Sequence, residues 1–493
     1  MLDESGALHL ANRLGFGPAP GEVTRIVAAG FDGFLSSQLR PQPANLPQDV
    51  TVALHRLPSF GKSSAEAYAE YWVQAQVPDV KALPQDQLKQ LKARERLVAR
   101  EARMARLVRA VGSPWQLHEA LVEFWFNHFN VYAQKGPIKV WIGAYEEEAI
   151  RPHTLGRFSD LLLATARHPA MLVYLDNAQN VAPISGVSAP SGMPGGAASS
   201  PRQRLTGINE NYAREVMELH TLGVDGGYTQ ADVVSLAHIL TGWTVGPGAE
   251  SEVAMAAEQF RQNRGAFRFA ARRHDPSPEV VLGRTFSGYD ASEGEAALLM
   301  LAAHPATARH ISFLLAQYFV ADQPDAGLVD AMAKTFGDTD GDIRSVLKTM
   351  VTRREFLIPT NFGTKFKTPY RYVVSAARAA GVNPADVMPL NAALQDMGQL
   401  LYGCISPDGY GCTQSAWLDP DGLLHRLSFA MRMGDGEFGA SDRYDGNLTS
   451  LDADRLLETL EPGIGKATLA AIAQTPRERR AGAILGSPDF MRC

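Results

Sequence analysis

Two stretches of the chain gather side chains that can do chemistry. NENYAREVMELH (209–220) holds three glutamates, two asparagines, an arginine and a histidine within twelve residues, and HEALVEFWFNHFNVY (118–132) repeats the plan. Both read as helices. At about 100° per residue, Asn211, Glu215, Glu218 and Leu222 share one stripe of the first, while Tyr212, Ala213, Val216, Leu219 and His220 fall on the opposite arc. On the second, Glu119, Glu123, Asn127 and Asn130 form the polar stripe, and His128 lies with Leu121, Trp125 and Phe129. Facing helices of a bundle can build a metal site from inward-projecting carboxylates and histidines. Two arrangements stay open: His128 and His220 meet, with His238 or His274, in an apolar pocket, or the stripes meet and Glu123 clusters with Glu215 and Glu218. Histidine ligation suits zinc, copper or iron, and a carboxylate-rich set suits iron or manganese. The expected cofactor is therefore a transition metal ion drawn from these four. Glu215, Glu218 and His220 cannot jointly hold one ion on a regular helix, because Glu218 and His220 point nearly opposite ways. Neither spacing is a HExxH-type signature, and each feature has a plainer meaning: a hydrogen-bonded core histidine, a solvated face, or an ion-pair network around Arg214.

A metal-free reading uses Glu215 and Glu218, neighbours at i and i+3, as acid and nucleophile in glycoside cleavage, with a glycan as substrate. Two adjacent side chains on one helix fit poorly with carboxylates that must flank a scissile bond. RRHDPSP (272–278) is the other candidate: a loop can offer His274 and Asp275 to a substrate, although Asp275 ahead of Pro276 also reads as a turn cap. The candidate catalytic residues are thus Glu215, Glu218, Arg214 and Asp275, and the candidate metal ligands are His128, His220, Glu123 and His274. No GxSxG elbow, phosphate loop or dinucleotide fingerprint occurs.

Helical periodicity predicts the elements that must position these groups, at about 64–80, 84–112, 115–131, 139–151, 156–174, 209–222, 229–243, 291–303, 305–321, 325–336, 341–352 and 368–380. Thr229 and Asp232 make a capping-box-like start. The segment 84–112 carries eight Lys and Arg residues, read either as a solvated face or as a docking surface for an anionic partner. Strand signals are few. FRF (267–269) and VVL (280–282) flank RRHDPSPE and predict one β-hairpin within 265–285. Residues 181–207, rich in Gly, Pro, Ser and Ala, predict a flexible loop that leads into the motif helix. The expected fold is mainly α, a multi-helical, bundle-like body forming a single domain over 1–493 with a small β-hairpin insertion.

The 493 residues carry a net charge of −6 and a pI near 6.1, which does not fit a general nucleic-acid binder. No apolar run is long enough to span a membrane. MLDESGALHLANRLGFG lacks the basic start and apolar core of a signal peptide. The expected compartment is therefore the cytoplasm, or the periplasm or exterior if a leader has been removed. Cys404 and Cys412 flank the turn-rich ISPDGYG, and both a local disulfide and two free thiols are open.

LANRLGFGPAPGEV, FWFNHFNVY, ARHPAMLVYLDNAQ, NENYAREVMELHTLGVDGGYTQADV, ILTGWTV, RRHDPSPEVVLGRTF, HPATARHI and KFKTPYRYVVSAARA occur in this order. Together they resemble the bacterial family catalogued as domain of unknown function 1800, over about residues 7–430. The resemblance implies no assigned activity. It implies export for many members and a gene neighbourhood with sulfatase-like and phosphatase-like proteins, so a sulfatase-like protein is a candidate partner and a non-catalytic assembly role is a third reading. Two departures from the family pattern stand out: Glu279 lies in a region where members usually carry Lys, and GCISPDGYGC brings cysteines into a loop that is commonly proline-rich.

Overall fold

A computed structural model describes residues 2–77, 79–183, 207–246, 265–437 and 450–493. Most of the expected loop at 181–207 lies outside the described residues. The chain divides into two compact units, each assembled from separated segments. The first comprises residues 1–60, 99–130 and 311–493, and the second comprises 61–98 and 131–310. Both are helical. Among the described residues the only sheets are two antiparallel pairs of short strands.

In the first unit, helix Gln116–His128 is buried at every position from Gln116 to Phe126, and Pro369–Ala379 is buried along its whole length. A helix buried all round needs partners for its polar groups. Arg371 donates to the carbonyls of Asn12 and Gly15, and Arg378 to those of Gly17 and Val111 and to Glu22. The carboxylate–amide stripe of Gln116–His128 is likewise buried rather than solvated. The Tyr318 hydroxyl donates to Glu123, the Asn127 amide both donates to and accepts from the Tyr410 backbone at 2.8 Å, and Asn130 donates to the carbonyls of Cys404 and Ser406. The stripe thus clamps the ISPDGYG loop, and Cys404 and Cys412 are free thiols.

The basic helix runs from Gln85 to Gly112. Lys89, Lys92, Arg94, Arg96 and Arg100 are exposed, as a solvated face requires. Arg106 and Arg109 are not: Arg106 lies 5.2–5.5 Å from the centroids of Phe126, Tyr370 and Tyr402, and Arg109 lies 4.9 Å from that of Phe60. Their planar guanidinium groups stack on rings and act as core.

In the second unit, Ile138–Tyr145 continues as a π-helical stretch, Glu146–Ile150, and Asn211–Glu215 continues as another, Val216–Thr221. The Leu222 amide bonds to Met217 O, five residues back. The predicted helix 156–174 is broken at Pro169, where the His168 ring caps the Ala170 amide; proline cannot donate within a helix but suits its first turn.

The single hairpin expected between 267–269 and 280–282 is corrected. β1 (Trp243–Val245) pairs with β2 (Phe267–Phe269), and β3 (Glu279–Val281) pairs with β4 (Arg284–Phe286). The second pair turns at Leu282 and Gly283, both at positive φ, as a type I′ turn requires. Leu-Gly is not the usual Asn-Gly signal, so the turn was hidden. RRHDPSPE is a connector between two hairpins, not the tip of one.

Candidate functional site

A set of interacting ionisable groups in the second unit lies around this connector. Helix Gln230–Ile239 starts with a complete capping box, Thr229 with Asp232. Asp232 also accepts a 2.7 Å hydrogen bond from the Leu282 amide. The cap thereby fixes the β3–β4 hairpin against the helix, and Glu279 at the start of β3 comes to 3.7 Å from His238 in the helix's last turn. Beyond the helix, Thr241 Oγ1 donates to His238 O at 2.6 Å and accepts from the Asp275 amide at 2.8 Å. Gly242 follows at φ 81°, where a Cβ would stand 2.9 Å from Ala270 O and 3.2 Å from His274 Cβ. Only glycine permits that approach of connector to helix end.

The result is a His–Asp pair. His238 Nδ1 donates to Asp275 Oδ2 at 2.7 Å, and the two side chains are 20 % and 13 % exposed. Burial pushes the Asp275 carboxyl up, but hydrogen bonds from Ser277 and His238 outweigh it and hold the group below the usual carboxylate range. Because Nδ1 carries the proton in this bond, the His238 Nε2 lone pair is left for chemistry.

A second, buried pair lies alongside. His274 Nδ1 faces Thr241 O at 3.1 Å and Nε2 faces Glu293 Oε2 at 3.2 Å. Burial raises the Glu293 carboxyl above its usual range, against the attraction of His274. These contacts leave the Glu293 carboxylate buried beside His274 without a hydrogen-bond donor of its own.

The residues singled out from the sequence are distributed differently. Glu123 and His128 belong to the first unit, and Arg214, Glu215, Glu218, His220, His274 and Asp275 to the second. His128 stacks on Phe124 and meets Trp125 and Phe129 edge-on. His220 is 1 % exposed, and burial drives its pKa down to about 3, so it is neutral. Arg214 pairs with Glu210 at 2.8 Å and donates to Gln230, while Glu218 accepts from the Tyr228 hydroxyl at 3.4 Å. Glu215 and Glu218 are half-buried. Only His274 and Asp275, adjacent in sequence, are brought into the cluster just described. Among the described residues no three His, Cys, Asp or Glu side chains converge as a metal ligand set.

Sequence reasoning named His238 only as an optional partner and did not weigh Thr241 or Glu293. His238 and Asp275 are 37 positions apart, and no local period links a helix end to a loop. The available signal was the run HILTGW, which places a histidine in the last turn of a helix, followed by the Thr and Gly of the stop.

No curated protein matches this chain, and no solved structure does. One family matches over residues 9–492. That span covers nearly the whole sequence, and the chain belongs to the family described as Protein of unknown function (DUF1800).

Proposed function

We propose that the protein is an enzyme that uses His238 as a general base on water, with Asp275 orienting the imidazole and stabilising its charged form. The observation that carries this reading is the 2.7 Å bond from His238 Nδ1 to Asp275 Oδ2 in side chains that solvent reaches. A carboxylate so placed selects the tautomer with a free Nε2 lone pair and offsets the charge when Nε2 takes a proton. The C-terminal end of helix Gln230–Ile239 adds a negative dipole beside the same ring. Thr241 is occupied with His238 O and the Asp275 amide, so water is the nucleophile and hydrolysis the reaction class.

The transition-metal reading has one feature in its favour: the ligand chemistry of His274 with the buried Glu293 carboxylate. A single experiment weighs both readings. The protein, purified without chelator, is assayed on chromogenic carboxylic esters, phosphate esters, sulfate esters and glycosides, with metal content measured on the same sample. General-base hydrolysis predicts an activity that falls about 10²–10⁴-fold in His238→Gln and Asp275→Asn and survives chelation. Activity that survives both substitutions refutes it. Stoichiometric metal lost with activity on changing His274 or Glu293 would transfer the chemistry to the metal.

A further inference from the structure

The first unit contains a cavity of about 220 Å³ that the proposed chemistry does not use, lined in part by His9, Asn12, Lys367, Asp489, Arg492 and Cys493. Drug-sized ligands occupy pockets of roughly 300–1,000 Å³, so this one suits a smaller guest. Lys367 lines it, and Arg13, Arg371 and Arg426, which do not, act electrostatically on its wall residues His9, Lys367 and Cys493; all four cations are at most 4 % exposed. Buried charges are normally paired with opposite charges. Here the direct hydrogen bonds run to neutral groups, while Cys493 acts on Arg13, Lys367 and Arg371, Asp322 on Arg13 and Glu123 on Arg371 as the opposite charges nearby. Arg13 donates to the carbonyls of Val320 and Asn361 and to Thr364 Oγ1, Arg371 to those of Asn12 and Gly15, and Arg426 to that of Lys367. Lys367 donates to Ser375 Oγ at 2.9 Å and sits 4.0 Å over the Phe490 ring. Burial, helped by Arg371 and Arg426 and opposed by Cys493, pushes Lys367 down to about 7. The Cys493 thiol feels the same field: burial pushes it up, but Arg13, Arg371, Lys367 and Lys365 pull it below its usual range. The one side-chain carboxylate on the wall, Asp489, accepts from the Gly465 amide at 2.8 Å.

His9 adds a complementary feature. Its ring stacks on Phe362 at 4.0 Å and its Nε2 faces Phe356 O at 3.0 Å. A carbonyl only accepts, so Nε2 carries the proton. Burial, then Arg13, drives the ring to about 3, so it is neutral, and Nδ1 is therefore a lone pair. That atom is buried and has no hydrogen-bond partner, in a residue 4 % exposed. The wall thus carries positive charge at Lys367 and Arg492, and its residue His9 keeps one buried acceptor without a partner.

We propose that this cavity binds a phosphate group that retains a proton, as the free ion or as the ester of a small molecule, with Lys367 and Arg492 facing its charge and His9 Nδ1 accepting from its hydroxyl. Sulfate matches phosphate in size and shape but carries no proton at neutral pH, so it satisfies the cations and leaves His9 unanswered. The class of a lost buried hydrogen bond, about 1–3 kcal/mol, translates to a preference of roughly ten-fold or more for phosphate.

The test is calorimetric titration and thermal shift of the full chain in phosphate-free buffer at pH 7 and constant ionic strength, with inorganic phosphate, glycerol 3-phosphate and sulfate. Saturable binding of inorganic phosphate, at least ten-fold weaker for sulfate, is expected. Equal or tighter binding of glycerol 3-phosphate would identify the ester as the guest, and its exclusion would identify the free ion; both support the site. His9→Phe, which keeps the stacking on Phe362, should abolish the preference for phosphate over sulfate. Arg492→Gln, on the half-buried rim, should weaken both ions. Absence of saturable binding, equal affinity for phosphate and sulfate, or a preference untouched by His9→Phe would each overturn the proposal. None of these readouts depends on the hydrolytic reading of His238.

Discussion

Thr241 is the joint on which the His238–Asp275 pair depends, and its two substitutions separate hydrogen bonding from packing. The side chain is fully buried, donates to His238 O at 2.6 Å and accepts from the Asp275 amide at 2.8 Å. Thr241→Val keeps the shape and removes the hydroxyl. His238 O retains a bond from the Thr241 amide at 3.1 Å, so the principal casualty is the Asp275 N–H, left without an acceptor. A buried donor so stranded costs about 1–3 kcal/mol, and the net bond to His238 O adds about 1 kcal/mol. The sum is roughly 2–4 kcal/mol. Thr241→Ser keeps both bonds and loses one methyl, worth about 0.8 kcal/mol plus a small cavity term. The Val variant should therefore be the less stable of the two by about 1–3 kcal/mol. Native-state hydrogen exchange read by mass spectrometry on peptides covering 236–245 and 271–278 measures this locally, at about 1.4 kcal/mol per ten-fold loss of protection. Hydrolytic activity, if His238 is the base, should follow the same order. A Ser variant as destabilised as the Val variant would show that packing of the methyl, not the hydroxyl, holds the connector, and the account of the site would fail.

Two further predictions concern groups away from that joint. His220 has its folded pKa lowered to about 3 from 6.5, so its contribution is fully present above pH 6.5 and is lost as pH falls toward 3. Between pH 6.5 and 5 that loss is about 1.6 kcal/mol, the slope rising from half of about 1.36 kcal/mol per unit at pH 6.5 to nearly all of it at pH 5. His220→Gln should remove about one proton's worth of slope from urea-unfolding stability over this range, and an unchanged slope would contradict the assignment. Asn127→Ala removes both 2.8 Å bonds to the Tyr410 backbone, roughly 2 kcal/mol of anchoring. The Cys412 thiol, which burial pushes up, should then react with a disulfide reagent ten-fold faster or more; equal rates would mean that the loop is held by other contacts.

Much of the secondary structure is written locally. Apolar spacing marks the helices and the Thr229–Asp232 box marks a start, because these signals act within one or two turns, whereas apolar spacing alone carried the helix 156–174 across the break at Pro169. The polar stripe of 118–132 was equally legible as a stripe, but its meaning was not. A glutamate that faces solvent and one that accepts from Tyr318 have the same neighbours in sequence. The same holds for Arg106, whose three rings come from positions 126, 370 and 402.

The sequence by itself therefore determined a mainly helical chain of the DUF1800 family and the side chains capable of chemistry. Only the tertiary structure decided which of them meet. It joined His238 to Asp275 through a capped helix, a hairpin and one threonine, and it brought His9, Lys367, Arg492 and Cys493 to the wall of one cavity. Proximity between residues tens to hundreds of positions apart is set by burial and by the satisfaction of buried polar groups, and neither has a period along the chain.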